Sequence, residues 1–430
     1  MRVLSGAAVV GVTLVVLATA GCTDSAGPGP EPSPDDRANA GITRLDQPDA
    51  GPIAVSWADG TPVDPTAVDV AAARSAVEGV DYDPVLQTPA GLNMFTLALT
   101  PGGDLVSVMI PEGQYDGGDV ILKSSQLGTY DGEFVRWPST ADLIPDDNPR
   151  QIFAATEDEG TVTWAETASI ALDSSNWRIF AREDGGEPVL VAASEEVYPG
   201  RMPILTGDVA PLVHDGRVYW ATPAPSAADG ASFHMQVMSR PADGSGSLTV
   251  EAQGVAQPAV NDHGLYVART LRDDPTLAGG TATVEIVDGA GGSLPVLVVA
   301  GDQGVTIVSL VADRERIAFV AIGPGVTGGT VYVVDPVAGA VTAVATPDSA
   351  FLPALALCGD RLVMTSADGS GAGDEPVYVL DVPSSDLARV DVPLNYSEVK
   401  CAGDMIAWRT LPDLQGTALT TVVSWNAESP

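Results

Sequence analysis

The most regular alternation of apolar and polar segments lies between Val305 and Thr346. Four short runs rich in Val and Ile are separated there by turn-forming segments that carry Asp, Gly and Pro. Such runs, joined by short turns, predict an antiparallel four-stranded meander. A single four-stranded sheet cannot bury both of its faces, so we expect the unit to recur along the chain. The predicted strands are Val305–Val311, Arg316–Ile322, Thr330–Val334 and Ala340–Ala345.

The second strand of this meander has counterparts in six other places. They follow one another at intervals of roughly 50 residues, the period expected of the blades of a β-propeller. The pattern therefore predicts an all-β fold, a seven-bladed β-propeller of four-stranded antiparallel blades, with six or eight blades as the alternatives. The aligned segments are Asp104–Ser107, which fits more loosely, Thr161–Trp164, Arg217–Trp220, Gly264–Val267, Arg316–Phe319, Arg361–Met364 and Met405–Trp408.

The two ends of the array predict how the ring closes. After Trp408 only Thr420–Trp425 remains as a strand, so the last blade lacks an outer strand. An open ring would leave sheet edges exposed, and we expect the N-terminal strand Ile53–Trp57 to close it. Asp64 to Gly79 carries an N-cap Asp, a Pro at the first position and a terminal Gly, which predict a short helix. Blade one is predicted from Met94–Leu99, Asp104–Ile110, Asp119–Lys123 and Glu133–Trp137.

The first residues have the pattern of a signal peptide, with Arg2, then an uncharged run from Val3 to Gly21, then Cys22. The segment ending at Cys22 resembles the bacterial lipobox, although Thr19 stands where that family usually has Leu or Val. The resemblance implies that Cys22 is acylated and becomes the new N-terminus. The alternative is ordinary secretion with cleavage near Ala20. We expect a signal peptide over residues 1–21, a lipidated Cys and a Pro/Gly/Asp-rich tether over 22–51, and the propeller over 52–430.

The charge balance restricts the partners. The formal net charge is -37, and Lys123 and Lys400 are the two lysines of the sequence. Nucleic acids and anionic headgroups attract clustered Lys and Arg, so the chain is expected to bind neither. Membrane association is expected through the lipid on Cys22, on the extracytoplasmic face of the cell membrane. A cationic partner or a divalent ion is compatible with this charge but is not indicated by it.

Cys358 and Cys401 lie in the first hairpins of the last two predicted blades, one residue apart in repeat register. In an oxidising compartment we expect a disulfide between them, with two buried free thiols as the alternative. His214 and His263 occupy nearly the same hairpin position in adjacent blades, which places both on one rim. Asp215, Asp262 and Asp313 lie near them in register, but ordinary turn residues explain these positions better than a metal site.

The segment Gly329–Ala343 resembles the strand–turn–strand repeat of bacterial quinoprotein-like and surface-antigen propellers. Quinone-binding relatives carry a Trp after the turn, where Val344 and Val390 stand in this sequence. We therefore expect no pyrroloquinoline or other cofactor. Trp164, Trp220 and Trp408 share one repeat position, and packing between blades explains them better than stacking on a ligand.

Catalytic residue types are sparse, because the chain has three His and shows neither a nucleophile elbow nor a phosphate-binding glycine loop. We expect no catalytic or metal-binding residues and a monomeric, non-catalytic binding or scaffolding module. Its partner would be an unknown envelope protein or a small ligand. A propeller hydrolase or lyase of the lactonase or glycan type is the alternative. An assembly factor resembling the Tol-type propellers is a third hypothesis, but Ile53–Thr88 is too short for the extra domain of that family.

Overall fold

The computed structural model describes residues 53–92, 94–109, 126–143, 151–167, 176–198, 209–224, 234–271, 273, 280–289, 291–302, 304–323, 329–346, 352–366, 376–392, 395–410 and 419–426. The predicted signal peptide, Cys22 and the tether lie outside these residues. Helical structure within the described residues is limited to α1 (Ser194–Val197) and two short 3-10 turns. None of these described helices has the length and apolar character that crossing a bilayer requires.

Seven sheets make up the fold, and each has four principal antiparallel strands. Four N-terminal strands precede the first complete blade: β1 (Ala54–Trp57), β2 (Thr66–Asp69), β3 (Arg74–Ser75) and β4 (Tyr82–Gln87). Blade 1 contains β5 (Met94–Leu99), β6 (Leu105–Met109), β7 (Gln126–Tyr130) and β8 (Phe134–Arg136). Blade 2 contains β9 (Gln151–Asp158), β10 (Thr161–Thr167), β11 (Trp177–Glu183) and β12 (Val189–Ala193). Blade 3 contains β13 (Leu212–His214), β14 (Arg217–Pro223), β15 (Met235–Pro241) and β16 (Thr249–Gln253).

The second half of the ring repeats this order. Blade 4 contains β17 (Ala256–Asn261), β18 (Gly264–Arg269), β19 (Thr281–Val287) and β20 (Ser293–Ala300). Blade 5 contains β21 (Thr306–Asp313), β22 (Arg316–Ile322), β23 (Thr330–Asp335) and β24 (Ala340–Ala345). Blade 6 contains β25 (Leu355–Cys358), β26 (Arg361–Thr365), β27 (Val377–Asp381) and β28 (Asp386–Val390). Blade 7 contains β29 (Asn395–Ala402), β30 (Met405–Thr410) and β31 (Leu419–Trp425), and β4 is its outer strand.

The first strands of the blades contact one another in sequence around the ring, and β29 of blade 7 contacts β5 of blade 1. This arrangement is a closed seven-bladed β-propeller, and the prediction is confirmed. Every segment aligned in the sequence lies in the second strand of its blade, except that Asp104 directly precedes β6. The predicted third strand of blade one, Asp119–Lys123, lies outside the described residues, and the third strand is Gln126–Tyr130.

A separate apolar cluster fills each interface between neighbouring blades. The residue that ends each aligned segment faces the preceding blade. Trp164 packs between Trp137 of blade 1 and Phe180, with ring centroids 5.8 and 5.6 Å away. Trp220 likewise meets Trp177 of blade 2 at 6.2 Å. These tryptophans hold blades together, as their shared repeat position indicates.

The closing strand differs from the predicted one. An N-terminal strand does complete blade 7, but it is β4 (Tyr82–Gln87), which pairs antiparallel with β31. The prediction for Ile53–Trp57 is wrong, since β1 pairs with β20 on the outer edge of blade 4. The predicted helix over Asp64–Gly79 is also wrong. That segment forms β2 and β3, which add parallel fifth strands to blades 5 and 6, with a single 3-10 turn at Val70–Ala72 between them.

Apolar packing explains this path. The N-terminal segment runs around the outside of four successive blades and places apolar side chains against each inter-blade cluster that it passes. Val55 and Trp57 pack against the cluster of blades 4 and 5, and Val68 belongs to the cluster of blades 5 and 6. Tyr82 then packs between blades 6 and 7, and Leu86 between blades 7 and 1. Burial of this apolar surface outweighs the local helix signals.

The propeller has two different faces. We call the face that carries the connections from first to second strands, and from third to fourth strands, the turn face. In blades 2 to 7 the first of these connections is a two-residue turn, for example Asp215–Gly216, whose φ angles of 47° and 67° are both positive. Positive φ at both positions is what a type I′ hairpin requires. The opposite face, which we call the loop face, carries the connections from second to third strands and those between blades.

Candidate functional site

The turn face holds two of the three histidines. His214 ends the first strand of blade 3 and His263 lies in the first turn of blade 4, so both are on one rim. The Nδ1 atom of His214 is 3.2 Å from Oδ2 of Asp158 in blade 2, and the backbone N–H of His263 donates to Oδ1 of Asn261 at 2.9 Å. His234 directly precedes the third strand of blade 3, towards the opposite face. Within the described ranges, His, Cys, Asp and Glu do not come together in any group of three or more that could hold a metal ion.

Ion pairs join neighbouring blades along the same face. Arg316 begins the second strand of blade 5 and pairs with Asp360 in the first turn of blade 6. Arg361 stands at the same position in blade 6 and pairs with Asp404 of blade 7 at 2.8 Å. The carboxylates are largely exposed, so each pair contributes at most about 1 kcal/mol. The two pairs link blade 5 to blade 6 and blade 6 to blade 7 at the same repeat position.

A disulfide between Cys358 and Cys401 adds a covalent link on this face. Cys358 ends the first strand of blade 6, and Cys401 lies near the end of the first strand of blade 7. Their Cα atoms are 6.0 Å apart, within the range that a disulfide spans. The turn face is thus held by short turns, ion pairs and a covalent bond.

Blade 7 departs from the repeat on the loop-face side. The residue after each aligned segment is small and almost completely buried in blades 1 to 6: Val108, Ala165, Ala221, Ala268, Val320 and Thr365. In blade 7 this position is Arg409, whose side chain is 16 % exposed. This position faces the following blade, so the guanidinium is directed to the seam between blades 7 and 1.

Blade 1 departs from the repeat at the same seam. The position that faces the preceding blade is apolar in six blades, and is Trp in three of them, but in blade 1 it is Ser107. Ser107 is fully buried and its hydroxyl lies 3.4 Å from Oγ1 of Thr96. The Thr96 hydroxyl is in turn 3.0 Å from that of Thr420, and the Thr420 N–H donates to Oγ1 of Thr88 at 2.9 Å. Hydroxyl groups therefore replace the aromatic packing found between other blades.

The guanidinium of Arg409 is held by an aromatic ring and by one distant carboxylate. Its Cζ atom lies 4.6 Å from the ring centroid of Phe95, in the first strand of blade 1. A cation over the face of an aromatic ring at this distance is attracted by the ring quadrupole. Nη1 lies 3.5 Å from Oε2 of Glu398, which is longer than a normal charge-assisted hydrogen bond.

Bulges in the first strands shape the loop-face end of the channel. The pairing of β29 with β30 jumps from Asn395 to Val399, so Glu398 lies in the irregular segment opposite Arg409. The first strand of blade 4 is bulged between Ala256 and Ala259, and Gln257 there has a φ of 53°. The amide of Gln257 donates to the carbonyl oxygen of Ile307 in blade 5 at 2.9 Å. Bulges re-aim side chains and are common beside binding sites.

The carboxylate of Glu285 is also buried, but hydrogen bonds within its own blade account for its charge. Glu285 accepts hydrogen bonds from Arg269, at 2.9 and 3.0 Å, and from the hydroxyls of Thr283 and Ser293. Burial alone would raise the pKa of Glu285, but these hydrogen bonds outweigh it and lower the pKa. Its charge is therefore satisfied within blade 4. Arg409 differs, because among the described residues its one protein acceptor is the distant Glu398.

Arg409, Phe95 and Glu398 form a candidate site on the loop face, where the central channel of the propeller opens. The site lies between blades 7 and 1, the same two blades that contribute the buried hydroxyls. The arrangement offers hydrogen-bond donors, a positive charge and an aromatic surface. Sequence reasoning missed all three residues. The aligned repeat contains the signal for Arg409, since an Arg replaces small residues there, but the approach of Phe95 depends on ring closure.

Solved structures resemble this chain at low sequence identity. A Mycobacterium tuberculosis puromycin-hydrolyzing peptidase matches with a TM-score of 0.47 and 15% identity, over 83% of this chain and 58% of that one. The β-propeller domain of the Trilobed protease from Pyrococcus furiosus has a TM-score of 0.46 and 9% identity, over 69% and 83%. An oligogalacturonate lyase from Vibrio parahaemolyticus has a TM-score of 0.46 and 13% identity, over 81% and 98%.

These similarities are too weak to assign a function to this chain. The chain spans 58%, 41% and 53% of the length of the first three structures, which are a peptidase, a prolyl endopeptidase and a puromycin hydrolase. No protein-family model matches the sequence, and no curated protein matches it.

Proposed function

We propose that this protein is a monomeric, lipid-anchored propeller on the extracytoplasmic face of the cell membrane, where it acts as a non-catalytic binding or scaffolding module. Cys22 carries the lipid, and the segment up to residue 51 is the tether. The ligand or envelope partner is held at the loop-face mouth of the channel, and nucleic acid is not a partner.

The difference between the two ends of the channel carries this proposal. The turn face consists of short turns joined by Arg316–Asp360, Arg361–Asp404 and the Cys358–Cys401 disulfide. The loop face has the longer connections and the one seam at which both blades depart from the repeat. Binding residues are commonly found on loops that a rigid scaffold positions. The fixed turn face is the scaffold and the loop face is the binding surface.

Photo-crosslinking in cells tests the position of the binding surface. Leu271 lies on the loop face and is 52% exposed, and Val337 lies in a turn of blade 5 on the turn face and is 72% exposed. A benzophenone amino acid at Leu271 should give a defined adduct, and the matched variant at Val337 should not. Equal adducts from both positions, or adducts from Val337 alone, would contradict the assignment of the loop face.

Two further measurements test the anchor and the absence of catalysis. Cys22→Ala should abolish labelling by a radioactive fatty acid and move the protein out of the membrane fraction. Metal analysis of the purified protein addresses the alternative of a hydrolase or lyase. Stoichiometric calcium, zinc or manganese retained after dialysis would favour that alternative over a binding module.

A further inference from the structure

We propose that Arg409 and Phe95 form a subsite for a single carboxylate group of a small ligand. This inference rests on the proposed function and specifies the chemical class of its ligand. The guanidinium binds the carboxylate through its N–H donors, and Phe95 supports the guanidinium from one side. Glu398 is the internal counter-ion that the ligand carboxylate replaces.

The geometry leaves donors of Arg409 available. A guanidinium presents several N–H groups in a planar fork that matches a carboxylate. Of these, one has a protein acceptor within the described part of the chain, and that acceptor is Glu398 at 3.5 Å. By contrast, Arg269 is held by Glu285 at 2.9 and 3.0 Å. Within the described residues the remaining donors of this half-buried guanidinium have no protein acceptor, so they can bind a ligand carboxylate.

A purely structural role does not explain the choice of Arg at this position. Six blades pack a small side chain there, and this packing needs neither a counter-ion nor an aromatic support. Burying a charge is costly unless it is paired. Ser107 also leaves the seam without the large apolar residue that fills it elsewhere. Arg409 and Ser107 thus place polar groups between blades 7 and 1, where the other blades pack small or apolar side chains. Polar groups in such a place are expected of a binding site.

The net charge limits the ligand to one with few negative charges. With a formal charge of -37, the whole protein repels polyanions at long range. At physiological salt this repulsion is screened beyond about 8 Å, so a small monoanion can still reach Arg409. A cationic ligand would instead have to displace Arg409 from both Phe95 and Glu398.

Benzoate, benzamide and benzylammonium provide matched anionic, neutral and cationic probes. Saturation-transfer NMR and calorimetric titration with the full chain at millimolar probe concentrations should show binding of benzoate in preference to the other two. Arg409→Gln should weaken benzoate binding by about tenfold or more, the usual effect of losing a charged hydrogen bond. Phe95→Leu should weaken it by a smaller factor. Arg136→Gln removes the same charge from the exposed outer strand of blade 1 and should have no effect.

The outcomes separate this proposal from the proposed function. Absence of benzoate binding, unchanged binding by Arg409→Gln, or preference for benzylammonium would each overturn the carboxylate subsite. In those cases the loop-face adduct from Leu271 would still support the binding function. Loss of that adduct together with intact benzoate binding would instead leave the subsite and contradict the proposed partner surface. Thermal unfolding of each variant shows whether a loss of binding reflects misfolding.

Discussion

Removal of the disulfide between blades 6 and 7 should lower the stability of the propeller by a calculable amount. The bond closes a loop with a sequence separation of 43 residues. In the chain-entropy treatment, a loop of this size restricts the unfolded state by about 4 kcal/mol at room temperature. A domain of this length has an unfolding entropy of about 0.8 kcal/mol/K. The expected decrease in Tm is therefore about 5 °C.

Differential scanning fluorimetry of the purified chain, with and without dithiothreitol, measures this decrease. The double variant Cys358→Ala, Cys401→Ala should melt at the temperature of the reduced protein and should not respond to the reductant. Thiol titration under denaturing conditions verifies that the bond is present before reduction and absent afterwards. If complete reduction leaves Tm unchanged, the disulfide does not restrict the unfolded chain as this reasoning requires.

Three further predictions concern packing and pH. Trp164→Ala removes a side chain buried between two aromatic rings, and urea unfolding should show a loss of about 3–5 kcal/mol; a loss below about 1 kcal/mol would contradict the proposed inter-blade packing. The lowered pKa of Glu285 stabilises the fold above its unfolded value of about 4.5, and this contribution is lost as pH falls through the folded pKa. Acid titration of Tm should therefore be less steep in Glu285→Gln, and an unchanged slope would refute the assignment. Burial raises the pKa of Tyr198 to about 12, so its contribution is complete below about 10 and declines as pH rises towards 12. Tyr198→Phe should reduce the alkaline decrease in Tm, whereas an unchanged alkaline limb would indicate another group.

The strands of the blades could be predicted because each one has its own local pattern. The second strands lie at a recurring distance, begin after small polar turns and carry, at one repeat position, a residue that packs against the preceding blade. Trp164, Trp220 and Trp408 show this arrangement most clearly. Blade count and ring architecture follow from such repetition, because a single blade cannot bury both faces.

The N-terminal segment could not be predicted in the same way. The predicted N-cap, Asp64, begins no helix; the cap in this segment is Asp69, which accepts a hydrogen bond from the Ala71 N–H at 2.8 Å and caps one 3-10 turn. The strands β1 to β4 are short, and their partners are the outer edges of blades that form far along the sequence. Nothing in Ile53–Trp57 or Tyr82–Gln87 specifies which blade edge each will meet.

The sequence by itself determined the blade repeat, the apolar faces of the strands and the expectation of a disulfide. Only the tertiary structure decided which N-terminal strand closes the ring and which side chains meet where blades 7 and 1 join. Arg409 and Phe95 are separated by most of the chain, and they approach because the circle of blades closes between them. Local pattern specifies elements that recur, but a contact made once, by ring closure, depends on the geometry of the whole ring.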